Sequence, residues 1–377
     1  MSTDRSWFDR WIFDSFTVSA RGLALYRIVV ALYLLLIIAP GHGSYANFSY
    51  LDSVPDIFFY PPPGPMQLFS GFPGFPFFEG LLVLLNLSLV AVLVGYRTRW
   101  ATLATGLLLL VGYGFNYSLS NLHHNIFLMV LPLVMAFSNW GAALSFDARN
   151  NRAPRQVRSW PLVMVALLLG YGMFTAGVPK IIGGWLDPST YAVHGRFLRE
   201  YFVIERHDLL APFFIDVTNE VLWETLDVAT VLYEIGFLFA ILHPFTTRLF
   251  SVFSIVFHTA VTLILNIAFL PNLIVYAAFV PWHRLANVLP LPEAHATVSQ
   301  TRTTLVLPLL VLLGGTAFFY VVGSPLLWLN GTTGIGPWLE EIDVLAIALA
   351  DLVTVVAVGS YLWRRFGTQK SVAYAQS

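Results

Sequence analysis

Cysteine, charge and lysine are all scarce in this sequence of 377 residues: cysteine is absent, charged residues make up 11% of the chain, and lysine occurs twice. The lack of cysteine excludes disulfide bonds and thiolate chemistry. The scarcity of charge, with a hydrophobic content of 57% and a mean hydropathy of +0.72, excludes a water-soluble globular domain. A formal net charge of −1 lacks the basic balance of nucleic-acid-binding proteins, so no nucleic-acid partner is expected.

The apolar residues that are present fall in blocks of about twenty, the length that an α-helix needs to cross a bilayer. Alternation of apolar and polar residues, which is typical of membrane barrels, is not seen. We therefore predict an all-α, polytopic membrane helical bundle with about eight core transmembrane helices and a C-terminal two-helix hairpin, with membrane lipid as a partner. The predicted spans are 23–39, 78–95, 100–117, 124–140, 160–178, 225–243, 248–266, 269–282, 303–323 and 343–363.

The chain divides into four predicted segments. Residues 1–18 form an interfacial helix, because Trp7, Trp11 and Phe16 fall roughly on one helical face. Acidic and basic residues alternate in this segment, which is unlike a cleaved signal peptide. The other predicted segments are a transmembrane domain at 19–284, a cytoplasmic linker at 285–302, and a C-terminal transmembrane hairpin and tail at 303–377.

Arginines mark every second connection between the predicted spans. Because cytoplasmic loops carry the excess of lysine and arginine, both termini are predicted to be cytoplasmic. The exception is the segment 180–224, where four basic residues accompany seven acidic residues. That mixed-charge segment is predicted to lie on the outer side, with Lys180 at the outer end of the fifth span.

Lys180 stands in LGYGMFTAGVPKIIGGW, directly after Pro179, which is predicted to break the helix at that point. Two interpretations of this lysine are open. A long cationic side chain at the end of a span often extends to the membrane interface. Alternatively, burial disfavours the ammonium, and the resulting neutral amine abstracts a proton near neutral pH.

Other ionisable residues fall within or beside apolar spans. His123 and His124 begin the fourth predicted span, Glu234 lies in the sixth, and His258 lies in the seventh, about 12 Å from its outer end. Ionisable groups inside a membrane are costly, which favours functional or buried polar roles. For His123 an interfacial hydrogen bond to a loop remains open, and for Glu234 a structural pair with Arg27 or another buried donor.

No metal site is predicted. Adjacent histidines on a helix point about 100 degrees apart, and no His-Glu-x-x-His pattern occurs. A phosphate-binding loop, a dinucleotide-binding glycine fingerprint and a Gly-x-Ser-x-Gly elbow are also absent. Gly170, Gly172 and Gly177 recur at helical spacing, which is typical of close helix packing.

Three separated stretches can be compared with known families. They are FTAGVPKIIGGWL from Phe174 to Leu186, the stretch from Asn121 to Ala148, and FHTAVTLILNIAFLP from Phe257 to Pro271. The first resembles an Ala-Gly-x-x-Lys segment followed by tryptophan. The second resembles an outer histidine followed by a long span and a Ser-x-Asp ending, and the third resembles a Phe-His pair. These are features of the transmembrane core of the vitamin K-dependent gamma-carboxylase family, also called the horizontally transferred transmembrane domain (HTTM) family. Weaker similarities at 19–28, 95–100 and 233–248 extend the resemblance over roughly residues 19–284.

The resemblance implies an enzyme of the carbon–carbon lyase class. Lys180 corresponds to the catalytic base, His124, rather than His123, to the active-site histidine, and His258 to the histidine of the Phe-His pair. Lys180 would deprotonate reduced vitamin K or another lipid hydroquinone, whose reaction with oxygen yields a base strong enough to remove a proton from carbon, and carbon dioxide captures the carbanion. The residues expected to hold the quinone are His123, Asn121, Trp185, Tyr171 and Glu234.

The resemblance leaves the substrate open. The animal carboxylase holds its peptide substrate with a large lumenal region, where this sequence has two further predicted spans, so a peptide or a small molecule on the outer face is expected. Small bacterial members point to a bacterial inner membrane rather than the endoplasmic reticulum. The alternative function is a non-catalytic transporter or a helper for peptide export or maturation. A transporter predicts a polar path across the membrane and no special need for an amine at position 180.

Overall fold

The computed structural model describes residues 6–38, 51–62, 65–119, 125–267 except 151, 153 and 155, 269–291 and 297–298. This part of the chain is mostly helical, which confirms the prediction of a helical fold. Its strands are limited to a parallel pairing of β1 (Gln156–Val157) with β2 (Thr297–Val298). The predicted spans 303–323 and 343–363, and with them the C-terminal hairpin, lie outside the described residues.

The described α-helices are numbered in chain order. They are α1 (Trp7–Asp14), α2 (Ala20–Tyr33), α3 (Phe75–Val94), α4 (Thr98–Tyr117), α5 (Ile126–Met135), α6 (Phe146–Arg149), α7 (Trp160–Ile182), α8 (Ala192–Phe202), α9 (Ala211–Phe214), α10 (Glu220–Ala240), α11 (Pro244–Leu265), α12 (Leu270–Tyr276) and α13 (Trp282–Val288). The predicted linker at 285–302 therefore begins inside α13.

Four of the described helices are long and apolar enough to cross a membrane. They are α2 with its π-helical continuation to Ile38, α3, α7 and α11. The helices α4 and α10 have 20 and 21 residues but fall short of that apolar composition. These four helices are compatible with a membrane protein, and the predicted count of about eight core spans is not confirmed.

Two predicted spans form shorter helices than expected. The stretch 124–140 contains α5, of 10 residues, which is followed by turns that include Asn139 at a φ of 61°. The stretch 269–282 contains α12, of 7 residues, followed by a 3-10 turn at Ala277–Phe279 before Pro281. At 1.5 Å per residue, neither helix alone reaches across a hydrocarbon core of about 30 Å.

The arginine-rich connections meet at one end of the bundle. Arg27 of α2 is fully buried and donates to the carbonyl oxygens of Trp140, Ala143 and Leu144 in the connection between α5 and α6. Nearby, Gly95 ends α3 with a φ of 71°, where an added Cβ would collide with Ser145. Helix α2, the connection between α3 and α4, and the connection between α5 and α6 are thereby held together at this end.

The N-terminal helix α1 packs against the same end. Its Trp11 is buried and donates its indole N–H to the carbonyl oxygen of Ile241, 3.2 Å away. Ser159, at the start of α7, donates to the carbonyl oxygen of Phe13 at 2.6 Å. Trp7 stays 58% exposed, and the interfacial position of the segment 1–18 stays a prediction.

At the opposite end, the mixed-charge segment forms a small structure around α8 and α9. Glu200 of α8 is buried and accepts from three arginines, Arg196 at 2.7 Å, Arg199 at 3.3 Å and Arg206 at 2.8 Å. Asp227 of α10 accepts from the first two backbone N–H groups of α8, at 2.7 Å each. These contacts tie α8 to the N-terminal half of α10, beyond the end of α7.

Helices α7 and α10 pack closely against each other. Gly170 faces Leu238 and Ile241, while Gly177 faces Glu234 and Ile235, so the two helices run antiparallel. An added Cβ at Gly177 would lie 3.1 Å from the Cβ of Glu234. The predicted close-packing role of these glycines is confirmed, and it brings the end of α7 against Glu234.

Candidate functional site

Lys180 lies inside the last turn of α7. The prediction that Pro179 breaks the helix before Lys180 is wrong, since the helix continues to Ile182 and is capped at Gly183. Proline lacks only its own N–H and tolerates a helical φ, so the helix carries on for one more turn. As a result Lys180 is held by regular helical backbone, and its Nζ also lies 3.4 Å from the carbonyl oxygen of Ala176.

Glu234 is the partner of Lys180. The two carboxylate oxygens lie 2.5 and 2.6 Å from Nζ, so the ammonium is bound by both. The Lys180 side chain is 22% exposed and that of Glu234 is 8% exposed. Glu234 therefore pairs with Lys180 and not with Arg27, because Arg27 donates to backbone carbonyls at the other end of the bundle.

The turn after α7 places Trp185 beside the pair. The Nζ of Lys180 lies 5.2 Å from the centroid of the Trp185 ring, within cation–π range. Asp187 in this turn accepts from the backbone N–H and the hydroxyl of Ser189, and these bonds lower the pKa of its carboxyl group. Thr190 donates to the carbonyl oxygen of Gly184 at 2.8 Å, which closes the turn that carries the tryptophan.

His258 lies on the buried face of α11. Its Nε2 is 2.9 Å from the hydroxyl of Tyr276 in α12, and its ring stacks on Phe269 at a centroid distance of 4.3 Å. Its Nδ1 is buried and has no hydrogen-bond partner among the described residues. One ring nitrogen is therefore anchored by Tyr276.

Hydroxyl groups connect the histidine with the ion pair. Tyr233, the neighbour of Glu234 on α10, donates to the hydroxyl of Ser254 at 2.6 Å. Ser254 lies one helical turn before His258 on α11, and the Nε2 of His258 bonds to the hydroxyl of Tyr276. We refer to Lys180, Trp185, Tyr233, Glu234, Ser254, His258 and Tyr276 as the Lys180 cluster.

The structure brings together only part of the predicted site. Lys180, Trp185, Glu234 and His258 belong to the cluster, whereas Tyr171 lies about 14 Å before Lys180 along α7. Tyr171 is half-buried against the main core. The predicted residues Asn121, His123 and His124 lie outside the described residues.

Tyr276, Tyr233 and Ser254 are members of the cluster that the sequence interpretation missed. A usable signal existed for Ser254, which precedes His258 by one helical turn and so shares its face. Tyr276 had a weaker signal, as a hydroxyl in the apolar run LIVYAAF. Tyr276 lies on the short helix α12, and the face of α12 that meets α11 depends on tertiary packing.

The chemical capacity of the cluster follows from its groups. Within the described part of the chain, no group of three or more His, Cys, Asp or Glu residues is arranged to hold a metal ion. The cluster instead offers a proton-sharing pair, an aromatic face and an imidazole in apolar surroundings. Such a set can bind a flat ligand that carries hydroxyl or oxyanion groups and exchange a proton with it.

Comparisons with known proteins return no match: no protein-family model matches the chain, and no curated protein or solved structure matches it significantly.

Proposed function

We propose that the chain is a membrane enzyme that activates a reduced lipid quinone at the Lys180 cluster, as its resemblance to the gamma-carboxylase family implies. The observation that carries this proposal is the Lys180–Glu234 pair, placed at the end of an apolar helix beside Trp185 and a buried histidine. Buried, paired ionisable groups in apolar surroundings are typical of functional sites.

The residues of the cluster fit a hydroquinone. Trp185 offers an aromatic face next to Lys180, while the unpartnered Nδ1 of His258 offers a polar contact in a buried position. When bound, reduced vitamin K or another lipid hydroquinone supplies the reaction with oxygen that yields a strong base, and carbon dioxide is the second co-substrate. The partly exposed Lys180 gives a lipid-borne ligand access to the pair.

For Lys180 to act as a base, its ammonium must first lose a proton. Glu234 supplies the acceptor, because both carboxylate oxygens lie within hydrogen-bond distance of Nζ. Transfer within the pair gives a neutral amine and a neutral carboxylic acid, which a dry environment favours over two charges. Nζ then accepts a proton from a ligand hydroxyl, and the restored ammonium stabilises the resulting oxyanion.

Two neighbouring groups support these steps. Tyr276 holds the Nε2 of His258 and so fixes the orientation of the imidazole. Trp185 covers the ammonium on one side, and a ligand that packs there would exclude water from the pair. The reaction is proposed to end in proton abstraction, with carboxylation or a related modification, on a peptide or small molecule at the outer face.

The proposal is tested with purified protein in lipid, supplied with reduced vitamin K or menaquinol, oxygen and labelled bicarbonate. Quinone epoxide and fixed label are measured for the wild type, Lys180→Met and the matched control Lys370→Met, which removes the other lysine. We expect epoxide formation by the wild type and the control and a loss of at least about 100-fold in Lys180→Met. Equal quinone oxidation by all three proteins would contradict the proposal.

A second candidate, a transporter, is favoured by one observation. The buried face of α11 is polar along most of its length, with Thr247, Ser251, Ser254, His258 and Thr262 on it. A polar stripe along a candidate membrane span is what a path across the membrane requires. Proton flux into proteoliposomes that depends on His258 and is unchanged in Lys180→Met would favour the transporter over the enzyme.

A further inference from the structure

A cavity of about 370 Å³ lies at the arginine-rich end of the bundle, away from the Lys180 cluster. It is bounded by the first residues of α4, the connection after α5, and residues near α6. Trp100 and Trp140 contribute aromatic walls, and Trp100 is 68% exposed. The volume falls within the range of about 300 to 1,000 Å³ that is usual for small-ligand sites.

The lining of this cavity is cationic. It includes Arg97, Arg99 and Arg152, against a single acidic residue, Asp147. Asp147 is only 9% exposed, and its carboxylate is already engaged at the start of α4. It accepts from the backbone N–H of Arg97 at 2.9 Å, and from the N–H and hydroxyl of Thr98 at 2.7 Å each.

The three guanidinium groups are left without an acidic partner. Among the described residues, no carboxylate lies within salt-bridge distance of Arg97, Arg99 or Arg152. Arg99 lies over the ring of Phe137, 5.1 Å from its centroid, which holds its side chain near the cavity. The lining therefore carries three guanidinium groups against one carboxylate, and no ion pair joins them among the described residues.

We propose that this cavity binds a phosphate-bearing anion. Guanidinium groups donate two parallel hydrogen bonds to phosphate oxygens, and several of them around one opening match a group with three or four acceptor oxygens. The cavity is larger than a phosphate group, so there is room for a substituent against the two tryptophans. A phospholipid headgroup and a soluble phosphate ester share this chemistry.

The position of the cavity makes both sources accessible. It opens where α3 ends and α4 begins, at the end of a helix long and apolar enough to cross a membrane. An anionic lipid would reach it from the bilayer surface, and a soluble ester from water. This inference is independent of the chemistry proposed at Lys180.

The test uses the full-length protein in two arms. In the first, protein in phosphatidylcholine nanodiscs with or without a minority of phosphatidylglycerol is analysed by native mass spectrometry for retained lipid. In the second, detergent-solubilised protein is titrated with inorganic phosphate and followed by tryptophan fluorescence. The variants are the double change Arg97→Gln with Arg152→Gln, and the control Arg10→Gln, an exposed arginine of α1 at the same end of the bundle.

We expect the double variant to lose at least about tenfold in affinity for the anion, and the control to change less than about twofold. If the double variant loses binding in the nanodisc arm alone, the ligand is a lipid headgroup. If the wild type binds phosphate saturably and the double variant loses that binding, the ligand is a soluble ester. Equal binding by the double variant and the control in both arms overturns the proposal, because it reduces the arginines to a nonspecific surface charge.

A second variant controls for loss of binding through unfolding. Arg97→Lys with Arg152→Lys keeps the charge but loses the two-pronged geometry of the guanidinium groups. Helix content measured by circular dichroism should match the wild type, while anion affinity falls several-fold. Affinity equal to the wild type in this folded variant also contradicts the proposed site.

Discussion

At the scale of single residues, the state of Lys180 is coupled to that of Glu234. A lysine held by both oxygens of a carboxylate is an ammonium, whereas a general base must be a neutral amine. The pair reconciles these requirements, because one proton can move between two atoms 2.5 Å apart. Glu234 is thus the proton acceptor that the proposed role of Lys180 as a base requires.

A residue-scale prediction concerns Tyr276. Changing Tyr276→Phe removes the partner of the His258 Nε2 and leaves a buried polar atom unpaired, at a cost of about 1–3 kcal/mol in the free energy of unfolding. The matched control is Tyr26→Phe, which deletes an equally buried hydroxyl that donates to the carbonyl oxygen of Ile274. Thermal unfolding in detergent should show a loss in both variants.

Quinone oxidation separates the two tyrosine variants. Turnover should fall in Tyr276→Phe, because the imidazole of His258 loses its orientation, and should stay near that of the wild type in Tyr26→Phe. Equal turnover in the two variants would contradict this expectation and would show that the His258–Tyr276 contact is only structural.

Part of the site could be predicted because isolated polar residues stand out in apolar segments. Lys180, Glu234 and His258 were found in this way, and the tryptophan followed from the motif. The pairing was not predictable, because both Arg27 and Lys180 could donate to Glu234. Which of them does so depends on the position of α10 along α7. Tyr276 was missed because one hydroxyl in an apolar run carries no signal of what it faces.

At the scale of elements, the interface between α7 and α10 sets the geometry of the pair. Gly177 lies one turn before Lys180 and directly faces Glu234 and Ile235. The absence of a side chain there lets the two helices approach closely. Any bulk added at this position pushes Glu234 away from the ammonium.

An element-scale prediction follows for Gly177→Ala. The new methyl group would lie 2.9 Å from Ile235 and 3.1 Å from the Cβ of Glu234. This overpacking should lower the free energy of unfolding by about 1–3 kcal/mol. The control is Gly80→Ala in α3, where an added Cβ meets nothing within 4 Å. Thermal unfolding should show a lower midpoint for Gly177→Ala only. Matching midpoints for the two variants would argue against close packing at this interface.

The helices themselves were predicted unevenly. Long apolar helices such as α3 and α7 could be located from the sequence, because length and hydropathy together are enough to identify a candidate membrane span. The short helices α5 and α12 could not, since their ends are set by turns at residues such as Asn139 and Pro281 within apolar sequence. Pro179 was overvalued as a helix breaker, because the penalty of a proline is lower near a helix end, where few hydrogen bonds remain to be lost.

At the scale of the whole molecule, two clusters of charged groups lie at opposite ends of an apolar bundle. One end holds the arginine-rich connections and the cationic cavity, and the other holds the Lys180 cluster under the mixed-charge segment. The orientation predicted from arginine positions, with the cavity end cytoplasmic and the Lys180 end outside, stays a prediction.

The orientation can be measured directly, because the chain has no cysteine to mask. Single changes Asn150→Cys and Thr218→Cys place thiols at exposed positions on the two ends. In intact cells an impermeant maleimide should label Thr218→Cys, and it should label Asn150→Cys only after permeabilisation. The reverse pattern would place the Lys180 cluster on the cytoplasmic side.

The most direct measurement of the central claim is quinol oxidation by Lys180→Arg. Arginine keeps the positive charge and the pairing with Glu234 but does not lose its proton in proteins, so it preserves the ion pair and removes the base. We predict that this variant unfolds at nearly the same temperature as the wild type and loses at least about 100-fold in quinone oxidation. Oxidation at the wild-type rate by a stably folded Lys180→Arg protein would contradict a role for Lys180 as the base.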